Sequence, residues 1–266
     1  MKDAKLTHWM LTIYTLAVFV FIFAPIVASF VFSFNSERFP TIPLGSFTTA
    51  WYEKAFGGEA IWPAIQTSLI VAGCSSVLAT IIGFSAAYTD FRYDFVGKKL
   101  FLILALLPPT IPLIIFALAT LGWLSMFNAS GKVVSIIIAH TVLCAPFAMA
   151  VIRLRLNQMD QNLEPAAWNL GASQWAAMKS VIIPFTLPSI IAALCLTAAV
   201  SFDEFAVAWF VSGLNKTIPV VILEILTGNI DPQINAIGSV VFAVSITLVV
   251  IAQVLVMGRV RKPESP

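Results

Sequence analysis

The sequence predicts an all-α, polytopic membrane protein with six transmembrane helices and both termini in the cytoplasm. Three observations carry this. Of 266 residues, 59% are hydrophobic and only 11% are charged, whereas soluble domains hold about 45–50% and about 25% respectively. The mean hydropathy is +0.95. The few charges fall between apolar runs that are each long enough to span. Six spans of about 20 residues would use about 120 residues, which leaves short connections, so residues 1–266 read as a single transmembrane domain. This balance excludes nucleic-acid binding, a soluble enzyme and a disulfide-stapled secreted domain.

Uncharged runs of 18 or more residues are the test for a span. The first, 9–34, follows Lys2 and Lys5 as a signal peptide would, but it is too long and no small-x-small cleavage site follows. It reads as a retained signal anchor. The others are 64–88, 100–124, 133–152, 181–202 and 236–257. Two shorter apolar pieces, 205–211 and 218–226, suit re-entrant or interfacial segments. With the N-terminus inside, the inner segments hold Lys2, Lys5, Arg92, Lys98, Lys99, Arg153, Arg155, Lys179, Arg259, Arg261 and Lys262. The outer segments hold only Arg38, Lys54, Lys132 and Lys216. Basic residues stay on the cytoplasmic side, which fixes the orientation and an even number of spans.

Cys74, Cys144 and Cys195 all fall inside spans and are odd in number, so they read as small buried hydrophobes rather than a disulfide framework. Ser68, Gly73, Ser76, Gly83 and Ala87 give the second span small residues for close helix packing. Asn128-Ala-Ser130 and Asn215-Lys-Thr217 match the glycosylation pattern, which has meaning only in a secretory-pathway eukaryote. There is no P-loop, no H-E-x-x-H, no G-x-S-x-G and no internal repeat. No catalytic residue and no metal site are expected. His140, inside the fourth span, suits an interhelical hydrogen bond better than a proton relay.

The longest inner connection, from Arg153 to about Ser180, reads Asp160-Gln-Asn-Leu-Glu164-Pro165-Ala166-Ala167-Trp168-Asn169-Leu170-Gly171-Ala172-Ser173. Pro165 suits the first helical position, Gly171 a left-handed stop, and Ser173 the cap of the next helix. The enclosed helix is too short to hold alone in water. It docks on its own membrane domain or on a partner. Ala166, Ala167, Gly171 and Ala172 permit close approach, while Trp168 and Leu170 offer apolar anchors. A lipid-surface helix fits the spacing equally well.

Two further features suggest a pathway. Pro108, Pro109 and Pro112 crowd the third span, where they remove helical donors. Counted from Lys99, they lie about 14 Å into a core of about 30 Å. A helix broken at the midplane suits either a substrate site, with Thr110 beside the break, or a structural kink. Asp203 and Glu204 are the only acidic residues within an otherwise apolar stretch from Val181 to Gly213. Facing lipid, a carboxylate costs about 2.5–3.5 kcal/mol, so they should face a cavity, a partner helix or the outer mouth. Ser201 and Glu204 also match a capping box opening the 205–211 segment. Trp209 offers an aromatic face for a cation or belongs to the interfacial belt. The outer segments carry more acidic than basic residues, which favours a cationic solute.

The inner loop resembles the cytoplasmic signature of ABC importer permeases: Glu-Ala-Ala, three residues, Gly, nine residues, Ile-x-Leu-Pro. Here Ala166-Ala167, Gly171 and Val181-Ile182-Ile183-Pro184 fit that spacing, with Pro165 standing at the glutamate and Glu164 one place earlier. Leu107-Pro108-Pro109-Thr110-Ile111-Pro112, Ser201-Phe202-Asp203-Glu204-Phe205 and the stretch from Thr217-Ile218-Pro219 to Asn235-Ala236 are similar to the second permease subunit of spermidine/putrescine transporters. The resemblance implies a type I importer permease in a bacterial inner membrane, with 160–175 as its coupling element. It implies a sister permease, a cytoplasmic ATPase dimer that binds ATP and Mg, and an external substrate-binding protein. No cofactor belongs to this chain itself. A different solute (opine-like or amino-acid-derived, iron, thiamine or an anion) suits the same importer class. A stand-alone secondary transporter and a membrane-embedded enzyme are the remaining readings.

Overall fold

The computed structural model describes residues 2–39, 41–228 and 231–260. Of the basic residues assigned to the inner side, Arg261 and Lys262, and the side chains of Lys2 and Arg259, lie outside that description. The described residues form α-helices and no β-strand. In order these are α1 (Lys2–Phe32), α2 (Ala50–Gly57), α3 (Ile61–Arg92), α4 (Lys98–Leu106), α5 (Leu113–Met126) and α6 (Val133–Leu156). There follow α7 (Leu163–Asn169), α8 (Gln174–Ala177), α9 (Ile183–Asp203), α10 (Ala206–Val211), α11 (Ile218–Gly228) and α12 (Gln233–Val260).

Among the described residues, four stretches are long and apolar enough to cross a membrane: Lys5–Phe32, Ile61–Arg92, Val133–Leu156 and Gln174–Asp203. They overlap the first, second, fourth and fifth expected spans; the second and fifth run past both expected ends, the fourth past its C-terminal end, and the first begins earlier but stops at Phe32. The third expected span is interrupted. Between α4 and α5 the chain makes a 3₁₀ turn at Pro108–Thr110, then extends through Ile111 and Pro112. Three prolines in five residues remove the donors a continuous helix needs there. Of the sixth expected span, Gln233–Thr247 is a described apolar helix.

The chain divides into two compact units. One comprises Met1–Trp62 and Ile222–Val244. In it Ser29 donates to Asn235 across α1 and α12, Ser33 and Tyr52 share a hydrogen bond, and Lys54 pairs with Asp231. Nearly all of α1 is exposed, as suits a helix whose neighbours are lipid or another subunit.

The other unit comprises Pro63–Val221 and Ser245–Pro266. Among its described residues the most extensive helix pair is α6 with α9. Gly83 explains how α3 meets α6: a Cβ there would lie 2.6 Å from the Met149 nitrogen and 2.7 Å from the Ala148 Cβ. Only a glycine permits that approach. Gly73, by contrast, has nothing nearby. Ser68 accepts from the Ile218 amide at 2.8 Å and so fixes the start of α11. One apolar core joins Phe116, Ala117 and Leu124 of α5 to Val207, Ala208 and Val211 of α10. A second joins the ends of α3 and α6 to Ile182 and Ala193.

The cysteine expectation holds for Cys144, which is buried, but Cys74 is exposed and Cys195 only half-buried. Cys74 lies on a face of α3 that this chain leaves uncovered. No described cysteine is in a disulfide.

Candidate functional site

The helices gather chemistry at two levels. At the end expected to face the cytoplasm, α7 begins two residues earlier than Pro165 suggests. Asp160 accepts from the Asn162 amide at 2.9 Å and turns the chain into the helix, so Pro165 occupies the third position, not the first. The correction is small because every amide of a first turn lacks a helical acceptor. Gly171 has φ +88°. The Gly171 amide donates to Trp168 at 2.8 Å and the Ala172 amide to Ala167 at 3.0 Å, the paired bonds of a Schellman stop. Ser173 then caps α8 by accepting from the Ala176 amide at 3.2 Å.

α8 does not end before the membrane helix begins. It passes through a π turn, Met178–Ile182, directly into α9. Pro184 supplies the reason, since it has no amide to give the Ser180 carbonyl and its ring crowds that carbonyl. The wider turn accommodates both, with the Ile183 amide reaching back to Met178. Gln174–Asp203 is thus one 30-residue rod.

The residues expected to contact a partner separate into two groups. Glu164 is only 2% exposed. Tyr88 of α3 donates to its Oε1 at 2.8 Å, and Arg92 of α3 lies 3.1 Å from its Oε2. Trp168 is half-buried beneath the Arg92 guanidinium, 4.7 Å from the ring centroid. These two side chains face this subunit itself. Leu170, 90% exposed, and Trp175, 76% exposed, are the apolar groups turned furthest outward. Ala166 and Gly171 are exposed and keep the intervening surface shallow, while Ala167 and Ala172 lie partly beneath it. Sequence reasoning passed over Trp175, although an unpaired tryptophan one residue inside a capped helix is a readable signal.

At the other level lie the residues proposed for the pathway. Pro108 and Thr110 form the 3₁₀ turn, where the Thr110 hydroxyl donates to the Leu107 carbonyl at 2.7 Å. Asp203 ends α9 and is exposed. The capping-box expectation for Ser201 is overturned: Ser201 is buried within α9. Ser75 of α3 donates to it at 2.8 Å, and His140 Nδ1 of α6 lies 2.9 Å away. Ser201 Oγ thus links α3, α6 and α9 through side chains of all three. The interhelical role expected for His140 is therefore present.

Glu204 performs the capping alone, accepting from the Val207 amide of α10 at 2.9 Å. Trp209 is exposed and packs on Phe205, 5.9 Å between ring centroids. Phe205 and Ile111 pack against the same α5–α6–α10 core. The acidic pair and the helix break thus flank one apolar core without a direct bond between them among the described residues. No group of three or more metal-ligating side chains occurs among the described residues.

Residues 79–262 match the family of binding-protein-dependent transport system inner membrane components. The chain belongs to this family. It is 29% identical over 239 residues to the spermidine/putrescine transport system permease protein PotC of Haemophilus influenzae, covering 90% of this chain and 93% of that protein. It is also 29% identical over 245 residues to the putrescine transport system permease protein PotI of Escherichia coli, covering 88% of this chain and 85% of that protein. Among solved structures, a bacterial ABC transporter that imports the polysaccharide alginate superposes with a TM-score of 0.77. The match covers 98% of both chains at 18% identity. The fold is that of a type I ABC importer permease, and this permease is an inner-membrane subunit. It is not an enzyme: in this family ATP hydrolysis belongs to a separate subunit.

Proposed function

We propose that this permease imports polyamines, putrescine or spermidine, driven by ATP. Residues 1–266 form one transmembrane domain that crosses six times, near 9–34, 64–88, 100–124, 133–152, 181–202 and 236–257, with both termini cytoplasmic. A sister permease completes the pathway. An external binding protein delivers the solute, and a cytoplasmic ATPase dimer binds ATP and Mg. The ATPase meets the coupling element, 160–175, through Leu170, Trp175 and the shallow surface of Ala166 and Gly171. Closure of the ATPases moves α8, and the rod carries that motion to Asp203.

The observation that carries the substrate assignment is the acidic pair Asp203–Glu204, whose neighbour Phe205 packs on the same apolar core as Ile111 of the broken span, in a chain similar to two polyamine permeases. A dication crossing a low-dielectric region needs carboxylates, since unit charges 4 Å apart attract by about 4 kcal/mol at an effective dielectric of 20. Trp209 adds a ring face at the same end of the rod. The test is uptake of labelled putrescine and spermidine by the complete importer in proteoliposomes. Replacing Asp203→Asn and Glu204→Gln together should lower uptake about tenfold or more, given the charge attraction removed. Unchanged uptake would remove the pair from the pathway. Failure of the parent importer to take up either polyamine would refute the substrate.

A further inference from the structure

The chain connects α7 covalently to α6 and, through α8, to α9, so a push on the coupling element reaches those helices along the backbone. It does not reach α3 that way, nor the broken α4–α5 segment. A separate connection exists. Glu164 and Trp168 lie four residues apart on α7, on one face; Tyr88 and Arg92 lie four apart on α3, also on one face. The two pairs interlock: Glu164 takes the Tyr88 hydroxyl on one oxygen and Arg92 on the other, and Arg92 lies over Trp168.

Two features make this a stiff joint rather than a surface ion pair. Both carboxylate oxygens are engaged from different side chains, which fixes rotation as well as distance. The carboxylate is almost wholly buried, so opening would strand a charge out of water, the costly event for a buried pair. Exposed pairs carry no such penalty. The same turn of α3 grips two other helices from its opposite side. Asp90, about 200° around the helix from Tyr88, is buried, accepts from Arg153 of α6 and lies 3.8 Å from Lys98 of α4. α4 is the half of the broken span that leads into the turn at Pro108–Thr110.

We propose that the Glu164–Tyr88–Arg92 clasp is a mechanical joint, by which movement of the coupling helix is passed to α3 and, through Asp90, to the broken span. Glu164 is then a positioning residue acting within its own subunit, while docking belongs to the outward-facing Leu170 and Trp175. The inference rests on the importer reading above.

The test uses the full importer, with its partner subunits, in proteoliposomes. Three quantities are read: ATPase retained on purification, ATP hydrolysed, and solute taken up. Glu164→Gln should keep the ATPase bound while uptake per ATP falls about tenfold, the scale of one charge-assisted hydrogen bond in a two-state balance. Tyr88→Phe, which removes a single hydroxyl, should lower the ratio about threefold on the same scale. The double reversal Glu164→Arg with Arg92→Glu should recover more of the ratio than either single change retains. An unchanged ratio in Glu164→Gln and Tyr88→Phe, or no recovery in the reversal, would overturn the joint. So would loss of the ATPase from Glu164→Gln, since Glu164 would then merely support docking. If the parent complex itself holds no ATPase, the importer reading fails, and the joint with it.

Discussion

Gly171 offers the sharpest test of the coupling element, because one dihedral angle carries its role. A Cβ added at Gly171 would meet nothing within 4 Å. The added Cβ itself therefore meets no obstacle, and a substitution acts through φ, which stands at +88°. For an L-residue the left-handed region costs about 1–2 kcal/mol. A β-branched residue pays the upper end of that range or leaves the region, losing the two bonds of the Schellman stop at about 1 kcal/mol each. Gly171→Val is thus expected to cost about 2 kcal/mol, or about 30-fold in the population of the stopped helix. Gly171→Ala should cost about 1 kcal/mol, and Gly171→Asn less, since asparagine visits this region most readily after glycine. A helix of seven residues has no reserve against such losses. ATP-driven uptake should fall in the order Asn, Ala, Val, while the amount of permease in the membrane stays constant. Normal uptake in Gly171→Val would refute the reasoning. So would equal losses in all three, because a contact rather than a dihedral would then be at stake.

Gly83→Ala should lower the melting temperature in detergent by about 5 °C, from overpacking worth about 1–3 kcal/mol where α3 meets α6. Gly73→Ala, which meets nothing, should leave it in place; equal effects at both positions would deny the close approach. Burial works to raise the Asp231 carboxyl, but the Lys54 hydrogen bond, the Gln233 amide and the charges of Lys54 and Arg38 outweigh it and hold it below the usual carboxylate range. A lowered pKa in the folded state gives stability that is complete above the unfolded value of about 3.9 and is lost as the pH falls through the folded value. Acidification from neutral pH should therefore destabilise the parent more than Asp231→Asn, as read by thermal unfolding. Parallel pH profiles would show that the pair contributes nothing.

Much of the coupling element is legible in the sequence because its signals are local. Gly171 and Ser173 act within three residues of where they stand, and the prolines at 108, 109 and 112 break the helix in which they sit. Local signals also mislead where distant partners win. Ser201 and Glu204 have the spacing of a capping box, yet Ser201 is held inside α9 by Ser75 and His140, which are far away in sequence. Pro165 marks the first turn but not which position of it, because the Asp160 turn sets the start. Glu164 is the clearest case. Its partners lie more than seventy residues earlier, and Arg92 counts, in a reading of charge alone, as one more basic residue on the inner side. Only the folded chain turns that charge toward a carboxylate.

The π turn at Met178–Ile182 has a consequence for how the two ends of the rod are phased. Each residue of an α-helix advances the side-chain direction by about 100°, and a π turn withholds part of that advance. The azimuth of Asp203 relative to Trp175 is therefore set by the winding of five residues that belong to neither end. Deleting one of them would turn the acidic pair by about a quarter of a revolution while leaving both ends chemically intact. Drift in this short interval redirects the carboxylates without touching the exposed Leu170 and Trp175 at the other end.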